Sequence, residues 1–185
     1  MNILRGIIRL ARGRGDGMAA FPATVDGFLT SLTPLIGFAL VGCAAAAVQA
    51  DAGTALALLL FSGVGLLAPP VLSHALARRW GREEDWLRYA TAYNWVQCVL
   101  PLTAVPLLIA IALMVQLGFT PAAAVGVGLV GLFGYTLFLG WVVARHGLDL
   151  SRGRAARFVA MVTIGTYVVA SVPGWIMAIA NGSAG

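Results

Sequence analysis

The sequence predicts an all-α fold: a polytopic membrane protein built as a bundle of five transmembrane helices, preceded by a short N-terminal amphipathic helix. Three observations carry that prediction. Hydrophobic residues make up 60% of the chain and charged residues only 10%, with a mean hydropathy of +0.91, whereas soluble domains carry about 25% charged residues. The 185 residues divide into five apolar stretches, each near the roughly 20 residues that a helix needs to cross about 30 Å of hydrocarbon. Finally, all 12 basic residues are arginines, in three groups of four separated by apolar stretches.

The arginine pattern reads as a topology. Arg5, Arg9, Arg12 and Arg14 precede the first stretch, and Arg78, Arg79, Arg82 and Arg88 lie between the second and third. Arg145, Arg152, Arg154 and Arg157 lie between the fourth and fifth. Arginine beside a membrane is retained on the cytoplasmic side. The expected arrangement is therefore an inside N-terminus, an outside C-terminus and a bacterial inner membrane, since heavy use of Ala, Gly and Arg without lysine suggests a GC-rich bacterial source. The net charge of +5 sits in short juxtamembrane segments. It points to anionic lipid head groups of the bilayer and not to nucleic acid.

In chain order, residues 1–27 form a cytoplasmic segment. On a helix at 100° per residue, Ile3, Leu4, Ile7, Ile8, Leu10 and Ala11 gather on one side, and Arg5, Arg9 and Arg12 on the other. Such a helix is suited to the lipid interface. Gly13 and Gly15 end it, and no uninterrupted apolar core marks a cleavable signal peptide. The membrane domain, 28–180, holds spans at about 28–50, 54–77, 89–117, 122–144 and 158–180, leaving an outer tail at 181–185. A tight outer turn is expected at Asp51, Ala52 and Gly53. Glu83, Glu84 and Asp85 suit the start of the third helix, Pro121 suits the first turn of the fourth, and Ser151 is an expected N-cap for the fifth. Pro34, Pro69, Pro70, Pro101, Pro106 and Pro173 interrupt four of the five spans. Trp80, Trp86, Trp95 and Trp141 lie near the arginine groups and Trp175 towards the outer end of the last span, as interfacial belts do.

Chemistry-bearing residues are sparse. No Asp, Glu, Lys or Arg lies between the span edges, which argues against a voltage sensor and against ion-coupled transport through a mid-membrane charge. Cys43 and Cys98 lie in apolar segments without metal-ligand spacing. No Ser-His-Asp set, HExxH or GxSxG is present, so the chain is expected to be non-enzymatic and to use no cofactor or metal. Gly126, Gly128 and Gly131 spell GxGxxG inside an apolar span, where no strand precedes them, so the pattern is read as helix packing. Ala124, Gly128 and Gly131, with Tyr135, form a small-residue face that a neighbouring helix can approach closely.

The most polar patch on a span is Tyr93, Asn94 and Gln97, near the inner end of the third helix. His74, on the second span, reaches it if the two helices pair antiparallel. These four form the candidate polar site, for a lipid head group, a small solute or a partner. The competing role is interhelical hydrogen bonding worth about 1 kcal/mol.

The run His74-Ala75-Leu76-Ala77-Arg78-Arg79-Trp80-Gly81, before Arg88-Tyr89-Ala90-Thr91-Ala92-Tyr93-Asn94, resembles the connection between the second and third spans of the Yip family. Gly140-Trp141, leading to His146-Gly147-Leu148-Asp149-Leu150-Ser151-Arg152-Gly153-Arg154-Ala155, is similar to that family's last inner loop. Five close-set spans and an outer C-terminus extend the resemblance over about 28–180. It implies a non-enzymatic integral membrane protein that organises membrane or partner proteins, with a protein partner or a homo-oligomer. The long acidic N-terminal region of the eukaryotic members is missing, so a Rab-like partner is not implied. The alternative from the residues is a small transporter or permease-like subunit around Asn94 and Gln97.

Overall fold

The computed structural model describes residues 3–48 and 52–182, the backbone alone at 52–57 and 173–182. Among these residues seven α-helices run in order: α1 (Ile3–Ala11), α2 (Val25–Ala47), α3 (Ala52–Arg79), α4 (Glu83–Gln97), α5 (Ala104–Gln116), α6 (Pro121–Gly147) and α7 (Arg152–Gly182). Short 3₁₀ turns occupy Gly15–Ala20 and Leu100–Thr103. No strand occurs among the described residues. Five segments there are long and apolar enough to cross a membrane: Val25–Ala47, Leu58–Arg79, Glu83–Gln116, Pro121–Gly147 and Arg152–Val172. The chain is a multi-pass membrane protein. Of the expected outer turn, Asp51 lies outside the described residues while Ala52 and Gly53 already belong to α3; of the expected tail at 181–185, Asn181 and Gly182 still belong to α7 and 183–185 lie outside the described residues.

Local chemistry sets the helix ends. Thr24 caps α2 by accepting the Gly27 N–H at 3.1 Å, and Thr120 caps α6 by accepting the Ala123 N–H at 3.3 Å, each satisfying an orphan donor. Pro121 occupies the first turn of α6, where its missing N–H costs nothing. Glu83, Glu84 and Asp85 fill the first turn of α4, and Arg78 and Arg79 the last turn of α3. Both placements complement the helix dipole.

The third span is broken. α4 stops at Gln97 and α5 begins at Ala104, with the 3₁₀ turn containing Pro101 between them. Proline has no N–H to give, so a carbonyl in the preceding turn loses its helical partner. Side chains near the break bond to backbone carbonyls: the Cys98 thiol donates to Asn94 O at 3.3 Å and Thr103 Oγ1 to Leu100 O at 2.6 Å. Pro106 falls early in α5. By contrast, α2 continues through Pro34 and α3 through Pro69 and Pro70.

α3 packs against α7 and α2, while α4 packs against α2, α3 and α6. α5 rests on α6 and leaves Val105, Leu108, Ile109 and Leu113 exposed, as lipid-facing residues are. The densest core lies at one end, where the three arginine-bearing segments meet. Ile7, Leu10, Met18, Phe21, Tyr89, Leu148, Leu150 and Phe158 belong to one buried cluster there. Arg82, between α3 and α4, donates to Asp149 O at 3.3 Å and pairs with its carboxylate at 3.6 Å. Trp141 Nε1 donates to Arg152 O at 3.1 Å. Tyr135 donates to Ala11 O at 3.3 Å, holding the end of α1.

This corrects the expectation for α1. The helix forms, but much of its apolar side is covered by protein: Leu10 is fully buried and Ile7 nearly so. α1 packs on the Gly15–Ala20 turn, α4 and α6. Only Leu4 and Ile8 of the large apolar side chains on α1 are exposed. The helix therefore has three sectors, one against the bundle, one apolar and open, and one carrying arginines.

Candidate functional site

Tyr93, Asn94 and Gln97 all border one cavity between α2, α3 and α4, but their hydrogen bonds run to different partners. Asn94 is 4% exposed and points to α2, where its Nδ2 donates to Ser31 Oγ at 2.9 Å. Ser31, fully buried, passes its own proton to Phe28 O at 2.6 Å. Asn94 thus ties α4 to α2. Ser31 was not among the sequence candidates, because one serine in an apolar helix carries no signal of its partner.

Tyr93 turns the other way. Gln97 Nε2 donates to its hydroxyl at 3.0 Å, one helical turn apart. The Tyr93 ring stacks on Tyr89 at 5.8 Å between centroids, and Tyr89 meets Phe158 of α7 edge-on at 5.4 Å.

His74 does not join them. Its Nε2 lies 3.4 Å from Glu83 Oε1, and its ring meets Trp86 edge-on at 4.7 Å. Helix register explains the correction. In an antiparallel hairpin closing near Gly81, the residue level with Tyr93 is Pro69, while His74 falls level with Arg88 and reaches the side chains of Glu83 and Trp86 nearer the turn. Ser73, beside His74, accepts Trp86 Nε1–H at 3.1 Å and donates to Pro70 O at 3.1 Å.

Two cavities flank Tyr93 and Gln97. One of about 360 Å³ opens between α3, α4, α6 and α7, lined by Gly65, Pro69, Tyr93, Gln97, Gly140 and Thr166 among others. Another of about 210 Å³ lies between α2, α3 and α4 and shares Gly65, Pro69, Tyr93 and Gln97. The Thr166 Oγ1, inside the larger one's wall, is buried without a hydrogen-bond partner among the described residues. The arrangement offers neutral donors and acceptors in an apolar frame. Among the described residues no group of His, Cys, Asp or Glu is placed to hold a metal ion.

The small-residue face of α6 is also divided. Ala124 is fully buried, and a Cβ on Gly128 would lie 3.1 Å from Ile111 and Leu107 of α5. At Gly131 nothing lies within 4 Å. α5 follows the four-residue row Ala124–Gly128; Gly131, three residues on, rotates away from it.

No protein-family model matches the chain, and no curated protein or solved structure is significantly similar to it.

Proposed function

We propose that this chain is a non-enzymatic protein of the bacterial inner membrane, related to the Yip family, that organises partner proteins or the membrane through its arginine-rich end. On this reading that end faces the cytoplasm, the N-terminus is inside and the C-terminus outside. The supporting observation is the cap itself. α1, the α3–α4 connection and the α6–α7 connection are bound into one buried core and cross-linked by Arg82 and Asp149. The basic residues thus sit on a packed platform of three segments, which a topology signal alone does not require. The residues that carry the resemblance to the family lie in the same two connections.

The two cavities around Tyr93 and Gln97 favour a second reading, a permease for a small neutral solute. One pair of assays separates them. Affinity purification from native membranes after mild crosslinking is expected to retain a protein partner, and Arg5→Glu/Arg12→Glu to lose it. Solute flux in proteoliposomes of the purified chain, with no partner retained, would overturn the organiser reading.

A further inference from the structure

We propose that the seam between α3 and α7 binds one anionic glycerophospholipid, with its phosphate held by Arg154 and Arg157 beneath Trp80 and an acyl chain lying along the seam. Three voids mark the path. At the arginine-rich end a cavity of about 290 Å³ is lined by Trp80, Arg154 and Arg157. Next along the seam, Leu72, Ala75, Leu76, Arg79, Met161 and Val162 line about 230 Å³. Beyond that, a purely apolar groove of about 470 Å³ runs from Leu72 past Val71 and Leu67 to Leu59. Leu72 lines both of the last two, which places them side by side along the seam.

Charge fixes the occupant. The ion pairs of this end engage Arg9 and Arg14 with Asp16, Arg78 and His74 with Glu83, and Arg82 with Asp85 and Asp149. Among the described residues no carboxylate pairs with Arg79, Arg154 or Arg157. Three cations without a carboxylate partner therefore stand at the arginine-rich end of the seam, Arg79 lining the void beside Met161 and the other two the cavity under Trp80, a set complementary to a phosphate carrying hydrocarbon. Guanidinium forks suit phosphate oxygens. Trp80 is held in place by its edge contact with Phe158 at 5.7 Å. Arg154, Arg157 and Met161 fall on one stripe of α7, so head and tail contacts align.

The length also fits. From Arg157 to Val169 the helix advances 12 residues, about 18 Å at 1.5 Å per residue, against roughly 15 Å for half of the hydrocarbon core. The site deepens the reading of the basic end as a membrane-facing platform. It would survive failure of the protein-partner assay, because it concerns a different surface and a different ligand.

The test uses the full chain, delipidated in a neutral detergent, with phosphatidylglycerol, phosphatidylcholine and inorganic phosphate as separate probes. Native mass spectrometry should show one retained phosphatidylglycerol, and its addition should raise Tm where the other two do not. Arg154→Gln/Arg157→Gln should weaken binding roughly 30-fold, from about fivefold per arginine, with its lipid-free Tm unchanged. Arg5→Gln/Arg12→Gln removes the same charge elsewhere and should bind as the parent does. Met161→Trp, which fills the groove, should also weaken binding. Equal losses in both double variants, or equal stabilisation by phosphatidylcholine, would overturn the site. Stabilisation by inorganic phosphate alone would overturn the lipid as its ligand.

Discussion

Removing Ser31 should cost more than removing its partner, and the geometry says why. Ser31→Ala deletes the acceptor of Asn94 Nδ2 at 2.9 Å and leaves an amide N–H stranded at a position only 4% exposed. An unsatisfied buried donor costs about 1–3 kcal/mol. Asn94→Leu removes the donor and its desolvation together, while the Ser31 proton keeps its bond to Phe28 O at 2.6 Å. The loss is then the interhelical bond alone, about 0.6 kcal/mol on average and up to about 1.7. The larger leucine has room, because Asn94 borders the cavity of about 210 Å³ beside Leu35 and Ala39. The double variant Ser31→Ala/Asn94→Leu should come out milder than the sum of the two singles, with a coupling of about 1 kcal/mol. Reversible unfolding in mixed detergent micelles gives all four corners of the cycle. A neutral Ser31→Ala, or strictly additive effects, would show that the two side chains do not meet.

Gly128→Leu should destabilise by about 1–3 kcal/mol, since Ile111 and Leu107 already stand 3.1 Å from a Cβ there; Gly131→Leu, facing open space, should melt as the parent does. Equal thermal transitions for the two would place α5 elsewhere. At Gly6 a Cβ would lie 2.5 Å from Ala20 Cβ and 3.1 Å from Gly17 O, so Gly6→Val should undock α1 and expose the 1–24 segment to limited proteolysis; unchanged protection would contradict the packed cap. Arg82→Ala should cost no more than about 1 kcal/mol, because its partners Asp85 and Asp149 are both solvent-accessible; a larger loss of Tm would assign the cap a different source of rigidity.

The sequence made the spans legible because hydrophobic length alone sets them, and the start of α6 because Pro121 suits a first helical turn; the caps at Thr24 and Thr120 emerged only with the structure. Amphipathicity revealed α1 but not what covers it; lipid and the Tyr89–Leu148 core are equally apolar. Pro101 and Pro106 marked the third span as irregular without fixing the break, since Pro34 and Pro69 sit in continuous helices. At the candidate site the sequence grouped Tyr93, Asn94 and Gln97, but the bond from Gln97 to Tyr93 within that group came from the structure. Asn94 and Ser31 are 63 residues apart, and only the packing of α2 on α4 brings them together. His74 was displaced by less than two helical turns of register, which chain position alone does not resolve.

The account turns most directly on which side of the membrane the arginine-rich end occupies. Reporter fusions placed after Arg82 and Arg152 should report the cytoplasm, and fusions after Asp51, Gly118 and Gly185 the outside. An inside signal at Gly185, or an outside signal at Arg152, would contradict five crossings with a cytoplasmic basic cap.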